Sequence, residues 1–206
     1  MKTLELFSGT QSFTKAVQVI DPEAECITVD ILPKFNPTIC CDILELDYHR
    51  WKEGDFDIVW CSPPCTEYSK AKTRGERDLV LADSLVRKCF EILDYLKPKY
   101  WIVENVGTGL LVKRMENIRP GLKMTFVDYC CYGKPYRKRT AFWSDRSFDL
   151  ELCQGAGKCK EMDGTKHKGS CGNGTVKYNS AGIKSVWEKD SIPELLLLTL
   201  LDQMAV

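Results

Sequence analysis

The sequence predicts a doubly wound, mostly parallel α/β sheet, and three observations carry that expectation. Short β-like runs alternate with helical ones through the first two-thirds of the chain. Asp57–Cys61 and Tyr100–Glu104 are apolar without alternation, as strands buried on both faces must be. Polar and acidic residues fall where such runs end, which is where an open α/β sheet collects its ligand.

Each element has its own signal. Thr3–Phe7 reads as a first strand, and a Gly9-Thr10 turn opens a helix over Gln11–Ile20. Glu25–Asp30 is a second strand ending in an acid, Thr38–Cys41 a short third, and Asp57–Cys61 a fourth. Over Asp78–Leu96, helical spacing places Leu79, Ala82, Leu85, Val86, Cys89, Ile92, Leu93 and Leu96 on one side; Pro98 stops the helix. Tyr100–Glu104 follows as a buried strand, and Lys123–Tyr129 and Thr140–Trp143 complete the sheet. Between 150 and 182 the patterning gives way to Gly, Lys, Ser and Cys, so a loop-dominated insert without its own core is expected. An apolar helix returns from Ile192. The expected division is a main domain over 1–148, an insert over 149–184 and a returning helix over 185–206.

Composition narrows the class. A chain of 206 residues closes one full-sized core. Its 29 Lys+Arg balance 29 Asp+Glu, so no global field advertises nucleic acid and none excludes it. Lys2 and Glu5 interrupt the start of the chain, which does not read as a secretory signal. The apolar run Ile192–Leu201 is too short to span a bilayer and carries Pro193 and Glu194. A soluble intracellular protein with no membrane partner is expected, a monomer in preference to an oligomer.

The odd total of 11 cysteines argues for reduced thiols. Cys26, Cys40, Cys41, Cys89, Cys130 and Cys131 lie in or beside apolar segments and read as small core hydrophobes. Cys61 and Cys65 flank a double proline, while Cys153, Cys159 and Cys171 share a polar stretch with His167.

Four polar signals sit at strand ends. Leu6-Phe7-Ser8-Gly9-Thr10 joins the first strand to its helix, and Gly9 lets a ligand approach the backbone. Asp30 is placed to accept from a ribose diol. Asp42-Ile43 sets a carboxylate beside an apolar surface, which suits an adenine ring. Taken alone, each acid is equally well a solvent-facing turn residue, and the three-glycine dinucleotide fingerprint is absent. The fourth signal, Trp60-Cys61-Ser62-Pro63-Pro64-Cys65, is more specific. Two prolines fix the backbone and a cysteine projects directly after them, a mount that suits a nucleophile with a preset trajectory. A neighbouring strand ends in Glu104-Asn105-Val106, bringing a carboxyl group beside that thiol. A thiolate beside a carboxyl group suits conjugate addition to a pyrimidine.

On these motifs the chain resembles the cytosine-5 DNA methyltransferases, of the compact sort found in phages and large viruses. Phe7-Ser8-Gly9 matches the family's cofactor turn, Pro64-Cys65 its nucleophile motif and Glu104-Asn105-Val106 its carboxylate motif, all in order over roughly residues 3–144. The resemblance implies a Rossmann-like methyltransferase sheet. It also implies S-adenosylmethionine bound along Phe7, Ser8, Gly9, Thr10, Phe13, Asp30, Ile31, Asp42, Ile43 and Pro63. Cys65 would add to C6 of a cytosine flipped out of DNA, and Glu104 would engage N3 and the exocyclic amine. The cytoplasm of a bacterial or virus-infected cell is the implied location. Residues 66–78 resemble the family's mobile catalytic loop, with Lys70, Lys72, Arg74 and Arg77 available to phosphates.

Several positions depart from the pattern. Thr10-Gln11-Ser12-Phe13 stands where further glycines are usual, and Thr66 where glutamine is common. The arginine motif appears as Tyr132-Gly133-Lys134-Pro135-Tyr136-Arg137-Lys138-Arg139-Thr140. Register from Pro135 puts Lys138 and Thr140 at the two arginine positions, with Lys138 toward the base oxygen; a one-residue shift offers Arg137 and Arg139 instead. The last motif is reduced to Lys189-Asp190-Ser191-Ile192-Pro193.

The family's target-recognition region is replaced by a short insert with the pattern Cys153-x5-Cys159-x7-His167-x3-Cys171. Three thiolates and an imidazole suit a structural zinc ion, which would order a segment lacking apolar residues. Lys158, Lys160, Lys166 and Lys168 offer it a phosphate-contacting surface. Two readings stand beside DNA methylation: an RNA cytosine-5 methyltransferase acting on a tRNA-type loop, and a catalytically weakened DNA-binding regulator that keeps the fold.

Overall fold

The computed structural model describes residues 1–170 and 191–204. Its centre is a seven-stranded sheet of β1 (Lys2–Leu6), β2 (Glu25–Asp30), β3 (Ile39–Cys40), β4 (Ile58–Cys61), β5 (Tyr100–Val106), β6 (Lys123–Asp128) and β7 (Arg139–Ser144), in the order β3-β2-β1-β4-β5-β7-β6. The first five strands pair in parallel, and β7 runs antiparallel between β5 and β6. The expected doubly wound, mostly parallel sheet is present. Strand order reverses between β1 and β4, so the chain leaves their carboxyl ends in opposite directions and opens a crevice there.

All four residues of β4 are buried because helices cover both faces. Val59 and Cys61 point into one core with α2 (Leu79–Leu96) and α3 (Leu111–Ile118). Ile58 and Trp60 point into the other with α1 (Ser12–Ile20) and α4 (Glu194–Gln203). Burial on alternating sides of one strand explains the unbroken apolar run. Helix α4 lies against α1 and buries Leu196, Leu197, Leu200 and Leu201. Pro193 stands at its N-cap, one position before the first helical turn expected for it. Among the described residues no helix is long and apolar enough to cross a membrane.

The helix starts explain two further features. Asp78 caps α2 by accepting from the Leu81 amide at 2.9 Å. Helix α1 has no side-chain cap of its own. Buried Glu5 on β1 instead accepts from the Phe13 and Thr14 amides at 3.3 and 3.0 Å. Helix α3 was not expected from the sequence: it buries only Leu111 and Met115 and starts at Leu110 without a capping side chain. In the described part of the insert, β8 (Met162–Asp163) pairs with β9 (Lys166–His167) around Gly164.

Candidate active site

The crevice is built from strained and rigid backbone. After β1, Phe7 has φ 58°, Gly9 φ 45° and Gln11 φ 56°. Two non-glycine residues in the left-handed region mark a turn held in place by its surroundings. The Gly9 amide donates to Asp30 Oδ2 at 2.8 Å, and Gln11 Nε2 donates to the Phe35 carbonyl at 2.7 Å. Gln11 thus occupies a conformation that favours glycine and uses its side chain to hold the neighbouring loop.

Two cavities meet at Phe7, Ser62 and Pro64. The larger, about 340 Å³, is walled by Val29, Ile31, Ile43, Leu81 and Leu85, with Asp30 and Asp42 at its polar edge. Asp30 Oδ1 accepts from the Leu32 amide at 2.8 Å, and Asp42 Oδ1 from the Leu44 amide at 2.9 Å. Both acids therefore shape turns as well as face the cavity. A flat apolar slot with carboxylates at its edge matches a nucleoside. Leu81 and Leu85 complete its wall from α2; Leu85 belongs to the apolar face read from the sequence, whereas Leu81 does not.

The second cavity, about 220 Å³, gathers Ser8, Gly9, Thr10, Pro63, Cys65, Glu104, Lys138 and Ile192 on its wall. Ser8 Oγ is buried there without a hydrogen-bond partner among the described residues, a donor and acceptor available to a polar ligand. Together with the apolar slot, this supports a nucleoside joined to an amino-acid-like tail, as in S-adenosylmethionine.

Cys65 is exposed, whereas Pro63 is buried beneath it. The amides of Tyr68 and Ser69 donate to the Cys65 carbonyl at 3.1 and 2.8 Å, closing a turn behind the thiol. Glu104 is 9% exposed, and burial pushes its carboxyl above the ordinary range while Lys138 and Ser62 act in the opposite direction. A carboxyl group so placed holds its proton more readily than an exposed one, which suits a proton donor. Ser62, not singled out from the sequence, also accepts from Trp60 Nε1 at 2.7 Å.

Residues 137–139, which lead into β7, divide by the partners they reach. Arg137 and Arg139 both bind Asp128, whose side chain is fully buried, with nitrogen–oxygen distances of 3.1 and 2.6 Å. Burial pushes the Asp128 carboxyl up, but the two arginines and the Cys153 amide outweigh it and hold it below the usual carboxylate range. Lys138 turns the other way, toward Glu104 and Cys65, with Nζ 5.1 Å from the centre of the Tyr129 ring. Thr140 does not reach the cavity wall: it is fully buried in β7 opposite Val106. Phe13, implied to touch the cofactor, is likewise in the core, stacked on Trp60 at 5.1 Å. Neither side chain lines either of these two cavities.

The loop after Cys65 uses much of its charge internally. Lys72 binds Glu67 at 2.6 Å, and Arg77 donates to the carbonyls of Glu67, Ser69 and Lys72. Lys70 and Arg74 are exposed. Tyr68 anchors the loop, buried and donating to Asp83 at 2.9 Å.

A second group of side chains lies in the insert. Cys130, Cys153, Cys159 and His167 bring their ligand atoms within 4.8 Å of one another. Cys153, Cys159 and His167 were expected together; Cys171 lies outside the described residues. Cys130 is buried but belongs to this cluster, correcting its reading as a plain core cysteine. Cys40 is exposed, where a core position was expected, because β3 is an edge strand. Linear spacing gave no sign of Cys130, which precedes Cys153 by a full strand and turn.

Comparison with known proteins follows the same lines. The model of a family described as C-5 cytosine-specific DNA methylase matches residues 1–132. A Frog virus 3 (isolate Goorha) protein named "Probable DNA (cytosine-5)-methyltransferase" is 38% identical over 179 residues, covering 79% of each chain. Among solved structures, the Entamoeba histolytica methyltransferase EhMeth aligns with a TM-score of 0.52 at 19% identity, over 74% of this chain and 55% of that one. The S. pombe Dnmt2 methyltransferase aligns with a TM-score of 0.51 at 17% identity, over 78% and 59%. The chain spans between half and two-thirds of the length of these two structures, which share its fold.

Proposed function

The chain belongs to the C-5 cytosine-specific DNA methylase family, and from that premise we propose that it methylates C5 of cytosine in DNA through a covalent adduct between Cys65 and C6. The observation that carries this reading is the single cavity in which Cys65, Glu104 and Lys138 face the Phe7–Thr10 turn.

Cytosine is a poor nucleophile at C5. Addition of the Cys65 thiolate to C6 relieves this by placing an electron pair on C5. Glu104 holds N3 and the exocyclic amine, and its raised proton affinity suits it to neutralise the charge that addition pushes into the ring. Lys138 supports the same charge at the base oxygen. S-adenosylmethionine supplies an electrophilic methyl group when bound. Phe7, Ile31, Ile43, Leu81 and Leu85 would hold its adenosine, with Asp30 and Asp42 at the edge and Ser8 and Thr10 toward its polar end. Loss of the C5 proton to a base then expels the Cys65 thiolate and restores the ring. A cytosine in duplex DNA must leave the stack to reach Cys65, at a cost of a few kcal/mol.

Trapping tests this directly. Incubation with S-adenosylmethionine and DNA containing 5-fluorocytosine should yield a denaturation-resistant protein–DNA adduct, because fluorine prevents the final loss of the C5 proton. The adduct should vanish in Cys65→Ser. An adduct on RNA alone would move the substrate to RNA, and no adduct on either, with cofactor binding retained, would leave a DNA-binding regulator.

A further inference from the structure

We infer that Cys130, Cys153, Cys159 and His167 form a four-coordinate site for a zinc-class ion that clamps the insert onto the catalytic sheet. The inference is independent of the methyl-transfer reading.

Geometry supports it first. Bonds of about 2.3 Å to sulfur and 2.0–2.1 Å to nitrogen, at tetrahedral angles, separate sulfur from nitrogen by about 3.6 Å and sulfur from sulfur by about 3.8 Å. His167 Nε2 stands 3.5 Å from Cys153 Sγ and 3.6 Å from Cys159 Sγ. All four ligand atoms lie within 4.8 Å, so closing around an ion moves the widest pair by about 1 Å. A disulfide would need only two of these thiols and would leave the imidazole without a role.

The backbone prepares each ligand separately. Cys130 lies in the turn Tyr129–Tyr132 that follows β6. The Cys153 amide donates to Asp128 Oδ2 at 3.0 Å, fixing that ligand to the end of the same strand. The Cys159 amide donates to the Gly155 carbonyl at 3.0 Å, and the β8–β9 hairpin returns His167 to the group. Three elements distant in sequence thus converge on one point. In the described insert Leu150 packs against the core while Leu152 is 43% exposed, and from 153 to 170 Met162 is the one large apolar side chain, half-buried, so apolar burial contributes little there. Three thiolates and an imidazole suit zinc in a closed structural site, and binding releases the three thiol protons to solvent.

The donor set has a structural consequence that an insert-only site would not have. Cys130 follows Asp128 by two residues, and Asp128 holds Arg137 and Arg139 on either side of Lys138. The ion would therefore brace the segment before β7 that carries Lys138 into the active cavity.

Elemental analysis of the full chain, purified under reducing conditions and loaded with Zn2+, should find close to one zinc per chain. Cobalt loading should give the visible absorption of a tetrahedral thiolate site. Cys130→Ser and Cys159→Ser should each lose at least tenfold in metal affinity, while Cys171→Ser retains it. Circular dichroism would confirm that the half-exposed Cys159 variant remains folded. Chelation should lower the melting temperature of the intact chain by about 5 °C or more. Less than 0.1 zinc per chain after loading would overturn the site. Retention by Cys130→Ser with loss in Cys171→Ser would overturn the donor set.

Discussion

The buried side-chain amide of Asn105 donates to the carbonyl of Pro63 at 2.8 Å, tying the end of β5 to the proline pair that mounts Cys65. Its oxygen accepts from the Val106 amide at 2.9 Å, so both ends of the carboxamide are occupied. Neighbouring strands β4 and β5 thereby present Cys65 and Glu104 to one cavity with a fixed offset.

Removing that amide should loosen the nucleophile without emptying the cofactor slot. A buried carbonyl left unsatisfied costs about 1–3 kcal/mol, and if the loss falls on the orientation of Cys65 it appears as a drop in kcat of roughly 10–100-fold. For Asn105→Ala we expect that drop, with affinity for S-adenosylmethionine changed less than about threefold. Steady-state kinetics with calorimetry of cofactor binding checks it. An equal loss in both measurements would place Asn105 in general fold maintenance.

The cations leading into β7 should separate by phenotype. Lys138→Ala is expected to lower kcat/KM by about 10–100-fold at unchanged melting temperature, since the side chain faces the cavity. Arg139→Ala is expected to lower stability by about 1–3 kcal/mol, because buried Asp128 loses its shorter partner while Arg137 remains. Denaturation curves beside the kinetics distinguish them, and the reverse pattern would move the base-facing cation to the arginine register.

Glu5 should leave a signature in the pH dependence of stability. Burial raises its carboxyl from the ordinary value to about 7, against the hydrogen bonds from Thr14 and Phe13. The folded state then binds more protons than the unfolded chain between about 4.5 and 7, so the contribution of Glu5 to stability falls as pH rises through that window. Its full span is about 3 kcal/mol. In Glu5→Gln this component should disappear, making the urea stability curve flatter between pH 4.5 and 7. Identical slopes in the two proteins would show that Glu5 does not titrate there.

Much of this arrangement was legible in the chain. The Phe7-Ser8-Gly9 turn, the Pro-Cys mount and the Glu-Asn-Val strand end are local, and each sits on an element whose hydrophobic pattern announces it. Placing them together needed only the rule that parallel strands present their carboxyl ends on one side. Helix α3 escaped because it is only eight residues long and has no capping side chain, so its apolar spacing covers barely two turns. Phe13 and Thr140 are assigned to the site by resemblance, and the structure buries both of them beside rather than on the walls of the two cavities.

By itself the sequence determined the strands of the main sheet and the helices α1, α2 and α4, since burial and period are written into those stretches. It also determined the chemistry available at the crevice, because a thiol, a carboxyl and a strained turn are properties of their own residues. Tertiary structure alone decided which of Arg137, Lys138 and Arg139 lines the cavity with Cys65 and Glu104, since buried Asp128 at the end of β6 takes the two arginines. It alone brought Cys130 to Cys153, Cys159 and His167. The physical reason is the same in both cases. A charge or a ligand is satisfied by whatever lies a few ångströms away in space, and the end of β6, with Asp128 and the turn that carries Cys130, gathers partners that linear spacing does not mark.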